Sequence, residues 1–163
     1  MSIRAIAMAL LSVVLWASTV QAQMPVVRAE NAEVLFTSDD PILHRNKQTA
    51  YHIMRELLEA GHWEMADQYL TEEYIQHNPL AESGRAGVVK FFTQVLKVQP
   101  KPIPEKLSTP IVSVIAEGDL VMIATLRVLK DPKDPGKTYT TTWFDVWRFV
   151  DGKAAEHWDC ATK

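Results

Sequence analysis

The C-terminal stretch from Thr142 to Asp159 constrains the fold of this chain more than any other segment. Two runs rich in aromatic and β-branched residues flank Asp151-Gly152, a dipeptide that tolerates the positive φ angles of a tight hairpin turn. Three tryptophans lie among ionisable residues in these runs: Trp143, Trp147 and Trp158 with Asp145, Arg148, Glu156, His157 and Asp159. A surface hairpin has little use for so much aromatic area, and a purely apolar core would exclude the charges. The stretch therefore predicts a sheet that lines an apolar cavity containing a few polar groups.

The first 22 residues have the pattern of a secretory signal peptide. Arg4 is followed by an apolar run at 5–17, and Val20-Gln21-Ala22 places small residues at positions −3 and −1 of a cleavage site. The apolar run is too short to span the ~30 Å hydrocarbon core of a bilayer. We expect cleavage after Ala22, a periplasmic or secreted protein, and no stable membrane insertion afterwards. The alternative is an uncleaved N-terminal anchor.

The composition excludes several classes of partner. The chain has 20 acidic residues against 17 lysines and arginines, so it has no basic excess typical of nucleic-acid binding. Cys160 is its single cysteine, which rules out an internal disulfide and a thiolate metal site. With 47% hydrophobic residues, the mature chain can build the core of one ordinary domain.

The remaining sequence divides into an arm, a helical part and a part rich in strands. We expect an arm at 23–40, helices at 41–60, 63–70 and 85–98, and strands at 107–116, 120–129, 138–150 and 153–160. Asp40 before proline is a helix N-cap, Gly61 a left-handed helix end and Ser83 the cap of the third helix. Residues 71–74 are expected to form a turn that leads into a strand or loop at 75–79. Three helices followed by four antiparallel strands predict an α+β domain over 41–163.

The register of the last hairpin decides which ionisable groups meet. A simple two-residue turn places Asp145 opposite Trp158, whereas a one-residue bulge places Asp145 on the same face as His157 and Asp159. Either register puts a carboxylate near a second ionisable group, as general acid–base chemistry requires. Alternatively, these charges lie on a solvent face and pair with Arg148.

The segment Tyr74–Pro79 is a second candidate site. His77 could carry a proton or polarise a carbonyl group, and Asn78 could donate to an oxyanion. Alternatively, both residues hold the loop through backbone hydrogen bonds, because Asn-Pro often opens a turn. The five histidines show no spacing typical of metal ligands, so no metal site is predicted.

Several strings of the sequence resemble the SnoaL-like group of the NTF2-like superfamily. The strings are YIQHNP at 74–79, GRAG at 84–87 before a Phe-Phe helix, AEGDLV at 116–121, FDVWRF at 144–149, and GK at 152–153 leading to EHWD at 156–159. The resemblance covers residues 45–160. It implies a cone-shaped barrel in which three N-terminal helices pack on a strongly curved antiparallel sheet, with a deep pocket and a homodimer formed through the sheet. Polyketide cyclases of this group catalyse intramolecular aldol condensation without a cofactor, using an acidic residue as general acid–base.

The resemblance also implies roles for individual residues. The acid–base role falls on Asp159 of EHWD or on Asp145 across the hairpin, with His157, His77 and Asn78 polarising or holding the substrate carbonyl. The candidate ligand contacts are Asn78, Tyr51, Tyr74, Phe92, Trp143 and Trp158, although Tyr51 and Phe92, like Trp63, are more typical of an ordinary core. The expected partner is a small apolar or carbonyl-containing molecule, and no cofactor is implied. The competing hypothesis is a non-catalytic binding module for an apolar small molecule.

Overall fold

The computed structural model describes residues 23–162, so the predicted signal peptide lies outside the described residues. The helices are α1 (Pro41–His52), which continues as a π-helical segment (Ile53–Glu59); α2 (Ala66–Tyr69), preceded by a 3₁₀ turn (Trp63–Met65); and α3 (Arg85–Lys90), which continues as a second π-helical segment (Phe91–Val95). No helix between residues 23 and 162 combines the length and apolar character needed to cross a membrane.

Five strands form one curved, unclosed sheet. They are β1 (Leu70–Gln76), β2 (Ile111–Glu117), β3 (Leu120–Lys130), β4 (Thr138–Val150) and β5 (Lys153–Asp159). Their order is β1-β5-β4-β3-β2; β1 runs parallel to β5 and every other neighbouring pair is antiparallel. The α+β class and the NTF2-like architecture are thereby confirmed.

The predicted ends of the first helix are present. The Asp40 carboxylate accepts hydrogen bonds from the backbone N–H groups of Ile42 and Leu43, at 2.8 and 3.0 Å, a cap that stabilises a helix by about 1 kcal/mol. Gly61 has a φ of +80° just beyond the π-helical segment, where glycine avoids the steric cost of a Cβ. The Thr49 hydroxyl donates to the carbonyl oxygen of Gly152 at 2.8 Å, which ties α1 to the last hairpin.

The structure corrects the prediction for residues 70–76. Where we expected the end of the second helix and then a turn, Leu70 already begins β1. Leu70 and Tyr74 are buried, and the strand pairs with β5 roughly 80 residues later. Local periodicity could not show this partner, so the sheet has one strand more than predicted.

The third helix also differs from its prediction. Its N-cap is Gly84, with a φ of +85°, whereas the hydroxyl of Ser83 accepts a hydrogen bond from the backbone N–H of Gln76. The π-helical segment ends at Val95, three residues before the predicted end, and Val95 and Leu96 are exposed. Ser83 therefore ties this helix to β1 instead of capping it.

The predicted arm is not confined to the surface. Phe36 is completely buried and packs edge-on against Tyr51 of α1 at a centroid distance of 5.2 Å. The backbone N–H of Ala29 donates to the carbonyl oxygen of Ile111 at 2.7 Å. The arm thus contributes a core side chain and lies along β2.

The last hairpin contains the bulge. Asp151 and Gly152 both have positive φ angles, +50° and +83°, which define a two-residue turn. Arg148 pairs with Glu156, but the next residue, Phe149, pairs with Ala154, which leaves Ala155 as an extra residue in β5. Beyond the bulge Asp145 lies opposite Asp159 and Trp147 opposite His157. Of the two registers that the sequence left open, the bulged one is present.

Candidate functional site

The inner face of the sheet gathers polar side chains from three adjacent strands. Alternation along a strand sends every second side chain to the same face. Trp143, Asp145 and Trp147 of β4 therefore share the inner face with their partners across the bulged hairpin. The remaining members of this inner row are His157 and Asp159 of β5 and Tyr74 and Gln76 of β1.

These side chains line one end of a cavity of about 340 Å³. The rest of its wall is mainly apolar: Ile53, Met54, Leu57, Leu58, Trp63, Leu70, Val88, Phe91 and Phe92. Trp63 and Phe92 stack with their ring centroids 3.9 Å apart. A cavity of this size with a few convergent polar groups is typical of a small-molecule site.

Asp145 and His157 form a buried pair at the polar end. The His157 Nε2 atom lies 3.2 Å from Asp145 Oδ1, and the two residues are 6% and 8% exposed. Trp143 Nε1 donates to the same carboxylate oxygen at 3.3 Å. Asp145 is therefore fixed by one donor from its own strand and one group from the neighbouring strand.

The hydrogen bonds around Gln76 fix the proton on the other nitrogen of His157. The backbone N–H of Asn78 donates to Gln76 Oε1 at 3.0 Å, so the amide oxygen faces this way. His157 Nδ1 lies 2.9 Å from the same oxygen and must donate to it. With Nδ1 protonated, the single hydrogen bond between Nε2 and Asp145 Oδ1 contains one proton that the two groups share.

Asp159 is held as an acceptor beside this pair. Asn78 Nδ2 donates to Asp159 Oδ2 at 2.7 Å, and the backbone N–H of Ala161 donates to Oδ1 at 2.8 Å. The orientation of the Asn78 amide is set by Leu80, whose N–H donates to Asn78 Oδ1 at 2.9 Å. The two donors fix the position of both carboxylate oxygens.

Tyr74 supplies a neutral hydroxyl to the same end of the cavity. Its oxygen accepts a hydrogen bond from Trp147 Nε1 at 3.1 Å. Burial first, and then the nearby carboxylates of Asp145 and Asp159, raise the pKa of Tyr74 well above its ordinary value. Among the described residues none accepts the hydroxyl proton of Tyr74, so this proton is free to reach a ligand.

The same cluster has donor atoms suited to a cation. One imidazole nitrogen of His157 and one oxygen each of Asp145 and Asp159 lie within 4.8 Å of one another. Histidine spacing in the sequence gave no indication of this group, because strand pairing brings it together. The hydrogen bonds of Gln76, Trp143 and Asn78 orient all three side chains, as outer-shell partners do in metal sites.

Three of the predicted site residues do not reach the cavity. Because side chains alternate, Gln76 and His157 point inwards while His77 and Trp158 lie on the outer face. There His77 stacks on Trp158 at 5.1 Å and its Nε2 lies 2.9 Å from Glu156 Oε1.

Tyr51 is the third of these residues. It is buried in the core beside Phe36, and the guanidinium of Arg55 lies 5.3 Å from its ring centroid. Its place on α1 gives it neighbours in the arm and on the same helix instead of the cavity. Tyr51 is therefore a core residue, the second of the two possibilities that its sequence left open.

Other predicted residues do lie at the cavity, and several lining residues were missed, among them two with functional polar groups. Asn78, Tyr74, Phe92 and Trp143 belong to its wall. Sequence reasoning overlooked Gln76 and Arg127, which also line it. Gln76 could have been found by alternation from Tyr74, but only once residues 70–76 were assigned to a strand.

Comparisons with known proteins agree with this architecture. The model of the SnoaL-like domain family matches residues 52–157. A proposed polyketide cyclase from Acidithiobacillus ferrooxidans is 21% identical with a TM-score of 0.51, covering 76% of this chain and 89% of that one. A proposed SnoaL-like polyketide cyclase from a Jannaschia species is 16% identical with a TM-score of 0.52, covering 76% and 91%.

A third solved structure carries a different fold name. It is a Xanthomonas campestris protein of unknown function with a cystatin-like fold, 18% identical with a TM-score of 0.51, covering 72% of this chain and 91% of that one. At these identities the solved structures show the fold alone, and no curated protein matches the sequence. The family match spans well over half of the chain, and the chain therefore belongs to the SnoaL-like family.

Proposed function

We propose that the protein is an exported enzyme that carries out acid–base chemistry on a small carbonyl compound without a cofactor. The observation that carries the proposal is the convergence of Asp145, His157 and Asp159 on one end of an apolar cavity. The reaction would be of the aldol-condensation, isomerase or hydrolase type. Membership of the family supports a small-molecule ligand.

Asp159 is the proposed base. As a carboxylate it would take a proton from the carbon next to the substrate carbonyl, which moves the electron pair of the broken C–H bond into an enolate. Asn78 and the backbone N–H of Ala161 keep Asp159 in place, so no reorganisation is needed when the proton moves.

The enolate oxygen needs a hydrogen-bond donor, and Tyr74 can provide one. Its hydroxyl is neutral, buried and already fixed by Trp147, so its proton can stabilise the developing negative charge. The proton shared by His157 and Asp145 is the proposed source for protonating the product oxygen. The apolar wall excludes water and strengthens both interactions.

Exchange of α-protons tests the base without knowledge of the substrate. We expect the protein to speed the uptake of deuterium from D₂O next to the carbonyl of 2-tetralone, followed by proton NMR. Asp159→Asn should lower the protein-catalysed rate by roughly 10²-fold or more, because the amide cannot accept the proton. Thermal unfolding should show a loss of about 1 kcal/mol or less for one altered hydrogen bond.

Asp131→Asn, in the exposed loop between β3 and β4, is the matched control and should exchange at the wild-type rate. An Asp159→Asn protein that is folded and exchanges like wild type would refute the assignment of the base. Loss of folding in Asp159→Asn would mean that the carboxylate is structural. If the exchange rate is retained after EDTA treatment, the exchange does not depend on a cation bound by the same residues.

A non-catalytic binding module is the second candidate, and the apolar wall with the stacked Trp63–Phe92 pair favours it. In that case wild-type protein binds 2-tetralone without exchanging its protons. Native mass spectrometry of the protein taken from its own compartment should then show a retained ligand.

Export is part of the proposal and rests on the signal-peptide pattern of the first 22 residues. The mature chain would begin at Gln23. N-terminal sequencing of protein from the fraction outside the cytoplasm tests this, and a chain that still starts at Met1 would contradict it.

A further inference from the structure

We propose that Arg127 and Trp143 form an anion subsite at the mouth of the cavity. The ligand would then be an amphipathic anion, with an apolar body, a carbonyl group at the acid–base end, and a carboxylate or similar group at the mouth. The inference rests on the proposed function for the position of the carbonyl group. It adds the chemical class of the ligand.

The pairing of β3 with β4 sets the distances. Asp145 lies opposite Ile123, Trp143 opposite Thr125, and Arg127 two residues further along β3. Two residues of a strand span about 7 Å, so the Arg127 backbone lies roughly 13 Å from the level of Asp145. The guanidinium carbon of Arg127 lies 5.5 Å from the Trp143 ring centroid, so its charge lies beside this cavity-lining ring.

Among the described residues, the positive charge of Arg127 is not paired with another group of the protein. Within residues 23–162 its guanidinium takes part in no ion pair and donates no hydrogen bond to a protein acceptor. By contrast, Arg148 on the outer face is paired with both Asp119 and Glu156. A stacked arginine with free N–H groups is well suited to bind a planar carboxylate.

Three carboxylates in or beside the cavity are occupied by other donors. Glu59 accepts hydrogen bonds from the backbone N–H and the hydroxyl of both Ser108 and Thr109. Burial acts to raise the pKa of Glu59, but these hydrogen bonds outweigh it and lower the pKa. Asp145 and Asp159 are held by Trp143 and Asn78. None of the three lies within ion-pair distance of Arg127, and that leaves its charge for a ligand.

Exposed and half-buried apolar side chains also line the cavity. Leu58 is 37% exposed and Phe91 is half-buried, and both line the cavity with Trp143. A ligand that enters here meets apolar surface with a single cationic side chain at its edge. This pattern favours a molecule that is apolar at one end and anionic at the other.

A pair of fluorescent probes separates the charge from the cavity. 1-Anilinonaphthalene-8-sulfonate carries a sulfonate that N-phenyl-1-naphthylamine lacks, and both fluoresce more strongly in apolar surroundings. We expect wild-type protein to bind both probes and Arg127→Gln to weaken binding of the sulfonate by roughly three- to tenfold. The dissociation constant of the neutral probe should change by less than about twofold. Added salt should weaken the binding of the sulfonate probe only.

Lys130→Gln, on the same strand but outside the cavity wall, is the control and should change neither dissociation constant. Arg127→Lys should fall between wild type and Arg127→Gln, because it keeps the charge but loses the planar fork. An unchanged sulfonate affinity in Arg127→Gln, or an equal loss for both probes, would overturn the subsite alone. Failure of wild-type protein to bind either probe would overturn the small-molecule cavity itself.

Discussion

Gln76 sets the orientation of His157 although it carries no charge. Its amide oxygen joins the backbone of Asn78 to His157 Nδ1 and thereby selects which nitrogen of the imidazole faces Asp145. A histidine whose Nδ1–H is held in this way presents Nε2 to Asp145. Gln76 is thus a positioning residue for the proposed proton transfers.

Replacing Gln76 should change the tautomer of His157. We expect a long-range ¹H–¹⁵N spectrum of wild-type protein near neutral pH to show Nδ1 protonated. In Gln76→Leu the acceptor is lost, so the neutral imidazole should place its proton on Nε2 towards Asp145. Gln76→Glu should restore the proton on Nδ1 because a carboxylate oxygen accepts it.

Gln94→Leu, on the exposed surface of the second π-helical segment, is the control for this experiment and should leave the His157 signals unchanged. Wild-type protein with an unprotonated Nδ1, or Gln76→Leu with an unchanged tautomer, would contradict the assigned network.

The last hairpin illustrates which parts of the fold could be predicted from sequence. Asp151-Gly152 identified the turn, and the aromatic residues identified the strands. The extra residue Ala155 decides whether His157 and Asp159 face the cavity, yet Ala154-Ala155 carries no turn residue that would mark a bulge. For this reason the sequence left two registers open, and only the three-dimensional pairing selects one.

Strand β1 shows a different limit. The run from Leu70 to Gln76 contains two adjacent glutamates. It follows α2 directly, and no glycine or proline separates the helix from the strand. Nothing local therefore separates it from the end of α2. Its strand conformation depends on the backbone of β5, and its inward residues Tyr74 and Gln76 could not be assigned a face before that pairing was known.

A buried carboxylate joins the π-helical segment after α1 to α2. Glu56 is 4% exposed and accepts hydrogen bonds from Tyr69, from Arg55 at 2.8 Å and from His52 at 2.8 Å. Burial opposes ionisation, but these donors outweigh it and lower the pKa of Glu56. When folding lowers the pKa of a carboxyl group, its ionised form stabilises the fold at pH values above the pKa of the unfolded state, here near 4.5. This contribution is lost as the pH falls through the lower pKa of the folded state.

Glu56→Gln should therefore reduce the free energy of unfolding by about 1–3 kcal/mol at pH 7, because charged hydrogen bonds become neutral ones. The difference in the free energy of unfolding between the variant and wild type should shrink as the pH falls below about 4.5. Urea unfolding between pH 3 and pH 7 measures this difference. Glu82→Gln, an exposed change, should follow the wild-type curve. A Glu56→Gln protein whose deficit is constant across this range would show that the carboxylate is not ionised in the fold.

The outer face of the whole sheet is the proposed dimer surface. Exposed apolar side chains occur there on several strands: Ile75, Ile115, Val128 and Phe144. Arg148, Glu156 and His77 form an ionic group beside them. This mixture of apolar area and satisfied charges is suited to a homodimer packed through the sheet, as the resemblance implies.

Phe144→Glu should therefore weaken the dimer by at least about tenfold, because a twofold interface would bury two new unpaired charges. Analytical ultracentrifugation at micromolar concentrations measures the change. Ile42→Glu, at an exposed position on α1, is the control and should sediment like wild type. A wild-type protein that is already monomeric, or a Phe144→Glu protein that stays dimeric, would exclude this interface.

The parallel pairing of β1 with β5 also sets when the site can exist during synthesis. Asn78 meets Asp159, and Gln76 meets His157, across 81 residues of chain. These contacts close one of the longest loops in the domain, and such closures come late because their entropic cost precedes their gain. A nascent chain cannot assemble the acid–base cluster until its final strand has left the ribosome. The candidate acid–base cluster can therefore form only after β5 has been synthesised.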